Sequence, residues 1–201
     1  MGELQILDFT DQTVRDEIFQ KYRSKGRKAE SDAPLHNILL TAEKSQCTDV
    51  IVEDRYMDKE YLDEFSAFYS TVFKSHTRFC IRLHFFSGNI REDFGITKNK
   101  ATITFPRSFE NILQPKYLGF CVVRPTETNR ISRTVIQPKV SQGREFVLSQ
   151  STCQINLNGT FLTACGMPFL HQDSQSGTCG SADIVMVSRY MHEKHRYRLC
   201  T

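Results

Sequence analysis

Apolar residues recur every four positions near the start of the chain and predict a first helix. Val14, Ile18 and Tyr22 fall on one helical face at this spacing, with polar residues between them. Thr10 or Asp11 stands where a side chain can accept hydrogen bonds from the first unpaired backbone N–H groups. We therefore expect a helix from about this point, packed through its apolar face.

The polar stretch Arg23–Pro34 follows, and its mixture of charges, serine, glycine and proline is typical of a linker. Beyond it, the short apolar run Ile38–Thr41 fits either a strand or a helix, because so few residues do not define a period. The segment up to residue 34 is therefore expected to consist of one helix and a linker.

A strand–helix–strand unit is predicted next. Thr48–Glu53 and Arg78–Phe86 have strand character, and the second alternates apolar and polar residues as a half-buried strand does. A helix is expected from Asp58, because the apolar residues that follow it share one helical face. That face consists of Tyr61, Phe65, Phe68, Tyr69 and Val72.

The second half of the chain consists mainly of short predicted strands. The candidates are Ala101–Phe105, Tyr117–Val123, Ile131–Pro138 and Glu145–Leu148. The second of these is nearly continuous in apolar character and is therefore expected to be central. Asn158-Gly159, between two alternating segments, predicts a hairpin, because both residues of a type I′ turn need positive φ angles. A last helix is expected over Ala182–Met191.

Together these elements predict an α+β fold, in which a mixed or antiparallel sheet is flanked by helices. We divide the chain into an N-terminal helix and linker (1–34), an α+β region (35–166), and a C-terminal loop and helix (167–201). The 201 residues are enough to bury one hydrophobic core.

Composition and charge narrow the classes of function. The formal net charge is only +3, so neither nucleic acid nor a membrane surface is expected as a partner. No apolar run approaches the roughly 20 residues that span a bilayer. The seven cysteines are scattered, without a Cys-x-x-Cys pair, which favours neither a disulfide framework nor a zinc site. Because the N-terminus also lacks a signal-peptide pattern, we expect a cytoplasmic protein without a cofactor.

The segment around Cys179 has the most distinctive chemistry of the chain. Small residues surround this cysteine, so that a substrate carbonyl could approach it closely: Ser176, Gly177, Gly180 and Ser181. The predicted helix follows at once, and the positive end of its dipole favours the thiolate. Amide side chains lie upstream, at Gln172 and Gln175, and one of them could help the Cys179 backbone N–H to hold an oxyanion.

Over about residues 168–191 these features resemble the papain-like cysteine peptidases, and the broader bacterial members of that superfamily more than papain itself. The resemblance rests on the Cys-Gly-Ser-Ala run from Cys179 and on a preceding glutamine, for which Gln172 fits more closely than Gln175. The Trp that follows the cysteine in papain is absent. The resemblance implies that Cys179 is a nucleophile, that Gln172 donates to the oxyanion, and that α+β elements end on the nucleophile helix of a papain-like core. The implied substrate is a peptide or protein, and the oligomeric state stays open.

A thiolate nucleophile also needs a histidine as general base, and the sequence does not place one. His192 and His195 lie in or just beyond the same predicted helix, about 20 Å or more from Cys179 along its axis, so neither can serve unless the helix breaks early. His171 adjoins Gln172 and could reach the pocket, although a position against a neighbouring loop is favoured. His84 lies in an alternating strand, where a structural role is favoured.

Three interpretations follow from this gap. The chain is the N-terminal part of a longer cysteine peptidase whose base lies outside it, an interpretation that its ending directly after a helix favours. Alternatively, it is a non-catalytic peptide- or protein-binding module that keeps the papain-like cleft without a complete triad. In the third interpretation the motif is accidental, and the chain is an α+β interaction module.

Overall fold

The computed structural model describes residues 4–24, 32–71, 76–103, 109–126, 130–137, 149–170 and 179–198. The strands in these ranges are β1 (Leu4–Asp8), β2 (Cys47–Tyr56), β3 (Cys80–Ser87), β4 (Lys100–Ile103), β5 (Tyr117–Val123), β6 (Ile131–Ile136), β7 (Ser151–Leu157) and β8 (Thr160–Gly166). The helices are α1 (Gln12–Tyr22), α2 (Ala33–Lys44), α3 (Lys59–Ala67), α4 (Ile90–Asp93), α5 (Glu110–Leu113) and α6 (Cys179–His195). The predicted α+β class is confirmed. Within the described ranges, no helix is both long enough and apolar enough to cross a membrane.

Six strands form one sheet in the order β4-β1-β2-β3-β5-β6, and each neighbouring pair is antiparallel. The remaining two, β7 and β8, form a separate antiparallel hairpin. Strand β5, predicted to be central, lies inside the sheet between β3 and β6 and ends directly before Arg124-Pro125, as predicted. The candidate strand Glu145–Leu148 lies outside the described residues.

The hydrophobic pattern does not predict β1, yet this strand lies between β2 and β4 in the sheet. Leu4, Ile6 and Leu7 are all buried, so side chains on both faces of the strand contact apolar neighbours. A strand covered on both faces lacks the alternation by which strands are recognised in a sequence. The first segment of the chain is therefore part of the main sheet, and the expected division at residue 34 does not separate a helix and linker from it.

One face of the six-stranded sheet, which we call the helical face, is covered by α1 and α2. The side chain of Asp11 caps α1 by accepting a hydrogen bond of 2.9 Å from the Thr13 backbone N–H, as predicted for this position. Val14, Ile18 and Tyr22 are buried, which confirms the predicted apolar face.

The segment Ile38–Thr41, for which the sequence fits either a strand or a helix, is helical and belongs to α2. The helix begins at Ala33, inside the stretch expected to be a linker, and Pro34 lies in its first turn, where the missing N–H of proline is not needed. Leu35, Ile38 and Leu39 are buried against the sheet, and this burial decides in favour of the helix.

The opposite face of the sheet, which we call the hairpin face, is covered by the β7–β8 hairpin together with α3 and α5. Asn158 and Gly159 have φ angles of +49° and +92°, which confirms the predicted two-residue turn with positive φ at both positions. Every second hairpin residue from Ser151 to Leu157 is buried, and Leu162 of the partner strand is fully buried.

Helix α3 begins after Asp58, whose side chain accepts a hydrogen bond of 3.1 Å from the Tyr61 N–H. Tyr61, Phe65 and Tyr69 are buried on the predicted face. Phe68 was expected on that face but is 44% exposed, because the helix ends at residue 67 and the following residues leave its period. Val72, the last member of the predicted face, lies outside the described residues.

Strand β3 differs from its prediction as a half-buried strand, since it is covered on both faces. Leu83 and Phe85 face α1 and α2, whereas Arg82 and His84 lie on the hairpin face and are also buried, at 4% and 0% exposure. The alternation in the sequence is real, but the polar face of this strand is covered by other parts of the protein.

Candidate active site

Helix α6 begins at Cys179, so the cysteine singled out by the sequence is the first residue of the C-terminal helix. The helix extends further than predicted in both directions. Its 17 residues align enough peptide groups to give a helix dipole, with the positive end at Cys179. Only the backbone of Cys179 belongs to the described part, and its side chain does not. His171 and Gln172, the other predicted site residues, lie outside the described residues.

The described residues that directly precede His171 in the sequence lie along the edge of the main sheet. Phe169 pairs with Thr134 of β6, each donating its N–H to the carbonyl oxygen of the other at 2.8 and 2.9 Å. At the next residue, the Leu170 N–H donates to the Met186 sulfur at 3.2 Å. Met186 is seven residues beyond Cys179, about 10 Å along the helix axis. Leu170, two residues before Gln172, therefore lies beside the middle of α6.

The two downstream histidines are too distant to act on Cys179. Helix α6 is unbroken to His195, so His192 and His195 lie about 20 and 24 Å from the start of the helix along its axis. His192 is instead engaged at the far end, where its Nδ1 lies 2.6 Å from the Tyr197 carbonyl oxygen. The condition under which either could serve, an early break in the helix, is not met.

His84 belongs to a buried polar cluster. Its Nε2 lies 3.3 Å from Glu53 Oε2, and its Nδ1 lies 3.0 Å from the Tyr117 hydroxyl. Burial lowers the pKa of His84 to about 4, so the ring is neutral near pH 7. Because a carboxylate only accepts hydrogen bonds, Nε2 carries the proton and the Tyr117 hydroxyl donates to Nδ1. With both ring nitrogens engaged and no exposed surface, His84 has the structural role expected of it.

Arg82 completes this cluster and connects it to the hairpin. Its Nε donates to Glu53 Oε2 at 2.7 Å, and its Nη2 donates to the Asn156 carbonyl oxygen of β7 at 2.5 Å. The guanidinium also lies over the Tyr56 ring, 4.0 Å from its centroid. Burial alone would raise the pKa of Glu53, but the His84 hydrogen bond and the Arg82 charge hold it below its usual value.

A second polar cluster joins the hairpin to α6. Arg133 Nη2 of β6 lies 2.7 Å from Cys153 Sγ and 2.9 Å from Glu193 Oε1. Ser151 donates to the other oxygen of the Glu193 carboxylate at 2.7 Å. Glu193 is therefore the residue through which the last turns of α6 contact β6 and β7.

The sequence did not indicate either cluster. Polar residues at alternating positions of a strand are typical of a solvent-facing side, and Glu53 and Arg82 are far apart in the chain. The sequence does show charged residues close to strongly apolar segments, where a buried charge would need a partner. It does not show which residue is the partner of which.

The outer face of α6 is apolar and exposed. Ile184 and Val187 are 65% and 57% exposed, and Tyr197, two residues beyond the end of the helix, is 59% exposed. With Met191 these residues line a shallow surface pocket of about 520 Å³. The inner face carries Glu193, with its charged contacts, and Met186, which contacts Leu170, whereas Ile184 and Val187 point outward.

A second surface pocket, of about 320 Å³, lies between α2 and the edge of the main sheet. Thr134 and Ile136 of β6 form one side, and Met167 and Phe169, 44% and 39% exposed, form its rim. Its lining is mainly apolar, and Phe169 on its rim lies three residues before Gln172 in the sequence.

The described cysteines other than Cys179 are free, and most are buried. Burial raises the pKa of Cys80 and Cys121 to about 12 and raises that of Cys47 and Cys153 as well. Cys165 is half-buried. Among the side chains that the structure describes, no group of three or more His, Cys, Asp and Glu residues could hold a metal ion.

Searches of protein-family models, curated proteins and solved structures with this chain find no match.

Proposed function

We propose that the chain carries the nucleophile of a papain-like cysteine peptidase, or of a related amide-cleaving acyl transferase, with Cys179 as that nucleophile. The observation that supports this proposal is the start of α6 at Cys179, seven residues after Gln172 in the sequence. A thiol at this end of a long helix is favoured as the thiolate, because the unpaired N–H groups of the first turn stabilise negative charge.

In the proposed reaction the Cys179 thiolate attacks the carbonyl carbon of an amide bond in a peptide or protein substrate. The resulting oxyanion accepts hydrogen bonds from the Cys179 backbone N–H, which has no partner within the helix, and from the Gln172 side-chain amide. As the intermediate collapses, the C–N bond breaks and the leaving amine takes a proton from the general acid. Water, or an amine in a transferase, then attacks the thioester carbon and loses a proton to the general base, and the C–S bond breaks to release the thiolate.

The base for this reaction is proposed to come from polypeptide outside the residues described. His84 is buried in its own cluster, and His192 and His195 are too far along α6. The exposed apolar face of α6 supports the proposal, because a helix with apolar residues outward is typical of one that packs against further structure. His171, beside Gln172, is the alternative source within the chain.

Selective alkylation of Cys179 tests the proposal. At pH 7 iodoacetamide should modify Cys179 about tenfold faster than an ordinary exposed thiol, because a pKa lowered toward 7 raises the thiolate fraction by about that factor. Mass spectrometry of peptides after short exposures gives the rate for each cysteine. A Cys165→Ser variant is the matched control, since Cys165 is the half-buried thiol among those described and its loss should leave the Cys179 rate unchanged.

Two results would contradict the proposal. Uniform labelling of all exposed thiols would remove the case for an activated thiolate. A Cys179 that stays unreactive in the folded protein would favour the alternative, a non-catalytic peptide- or protein-binding module. In that case Cys179→Ser should leave binding of any captured peptide unchanged.

A further inference from the structure

Helix α6 is attached to the protein differently from the other long helices. α1, α2 and α3 each bury apolar side chains, among them Ile18, Leu35 and Tyr61, in one of the two hydrophobic cores. Over residues 183–195, the part of α6 whose side chains are described, no side chain is buried and none belongs to either core.

The described contacts between α6 and the rest of the protein are largely polar. Glu193 contacts Arg133 and Ser151, and the side chains of Glu193 and Arg133 are 13% and 26% exposed. One turn earlier, Arg189 forms an ion pair with Glu60 of α3. Because Arg189 and Glu193 are four residues apart, both point from the same face of α6 toward the protein.

Polar attachment has a specific consequence for stability. A helix that buries apolar side chains cannot detach without exposing part of the core on which it packs. Ion pairs, in contrast, can separate locally, because water and salt ions replace the lost contacts. Elements with little buried apolar surface open locally at much lower free energy than the strands of a core.

We propose that α6 is a polar latch, an element that docks on β6, β7 and α3 through the Glu193 and Arg189 ion pairs and can leave them while the six-stranded sheet stays folded. Undocking exposes Arg133 and Ser151 on the hairpin face. Since Cys179 is the first residue of α6, the same motion carries it away from the sheet. The latch does not depend on the assignment of Cys179 as a nucleophile; if both hold, undocking governs how the thiol is presented.

Amide hydrogen exchange measured by mass spectrometry tests the latch. In the intact chain at neutral pH, peptides from α6 should exchange at least tenfold faster than peptides from β3, roughly the minimum difference expected between local opening and core unfolding. Raising the salt from 0.05 M to 1 M should accelerate α6 several-fold and leave β3 unchanged, because the screening length falls to about 3 Å.

The variant Glu193→Gln isolates the contact. It should accelerate α6 exchange roughly tenfold, because a hydrogen bond to a charged group is lost, without altering β3. Asp183→Asn is the matched control. It removes a carboxylate from the exposed side of the same helix and should change the rate by at most a few-fold.

Exchange in α6 as slow as in β3 and insensitive to salt would overturn the proposal. So would equal effects of Glu193→Gln and Asp183→Asn. Repeating the measurement in a Cys179→Ser chain separates the two proposals, because the latch predicts the same exchange whether or not the thiol proves reactive.

Discussion

At the scale of single residues, the buried histidine shows how neighbours set a protonation state. His84 has no exposed surface, and its two nitrogens are engaged by Glu53 and Tyr117. Burial disfavours the charged ring more than the Glu53 carboxylate favours it, so the pKa falls to about 4. Between this value and the ordinary pKa of 6.5, the imidazole of His84 is neutral in the folded protein and protonated in the unfolded chain.

This difference predicts a loss of stability in mild acid. Between pH 6.5 and 4 the unfolded chain binds a proton at His84 and the folded protein does not, so the free energy of unfolding falls as the pH falls. The pKa difference between about 4 and the ordinary 6.5 corresponds to about 3 kcal/mol across this range. Urea unfolding at pH 7 and at pH 4.5 should show most of that loss.

Two variants test whether His84 causes this loss. His84→Gln retains one donor and one acceptor but cannot titrate, so the pH dependence over this window should shrink even though its stability at pH 7 is lower. His36→Gln changes an exposed histidine in α2 and should leave the pH dependence as it is. An unchanged pH dependence in His84→Gln would rule out His84 as its source.

At the scale of elements, the hairpin shows how two adjacent residues of one strand differ in energetic weight. In β8, Leu162 is fully buried against the main sheet, and Phe161, pointing the other way, is 58% exposed. The Asn158-Gly159 turn fixes the pairing register of β7 and β8, and with it which side chains face the main sheet. A shift of one residue in that register would turn Phe161 toward the sheet and Leu162 toward solvent.

Truncating each residue in turn tests this arrangement. Leu162→Ala should lower the free energy of unfolding by about 2–5 kcal/mol, since it leaves a cavity between the hairpin and the sheet. Phe161→Ala removes a larger side chain but should cost well under that, because its ring is mostly in solvent. Chemical denaturation of both variants makes the comparison, and equal losses would contradict the register.

At the scale of the whole molecule, the two faces of the sheet are held by different interactions. The helical face is a continuous apolar core. The hairpin face combines an apolar core with charges, among them the Arg82–Glu53 pair, with side-chain exposures of 5% and 18%. This pair links β2 and β3 to the hairpin through Asn156.

The Arg82–Glu53 pair should behave as a buried unit. Arg82→Met leaves the Glu53 carboxylate without its positively charged partner and should cost about 3–5 kcal/mol, whereas the double variant with Glu53→Met should cost less than the two single changes together. Lys116→Met breaks the more exposed pair with Asp93 and should cost at most about 1 kcal/mol. Additive losses in the double-mutant cycle would show that the pair is not coupled.

Much of the secondary structure could be predicted from local sequence. The capping residues Asp11 and Asp58, the period of α1 and the Asn158-Gly159 turn all depend on residues within a few positions of each other. Phe68 was misplaced because the end of α3 has no such local signal. The small residues around Cys179 and the helical pattern after it also indicated this cysteine as a candidate site, and α6 begins there. The roles assigned to Cys179, Gln172 and His171 stay predictions.

What the sequence determined by itself is therefore helices α1 and α3, strand β5, the hairpin turn and a helix that follows Cys179. Only the tertiary structure decided that β1 belongs inside the sheet and that the polar side of β3 is buried. It also decided that α6 turns Arg189 and Glu193 inward and Ile184 and Val187 outward. The physical reason is that helical period, caps and turns arise from neighbours in the chain. Burial and charge pairing, in contrast, depend on which distant segments meet, as Arg82 meets Glu53 and Arg133 meets Glu193.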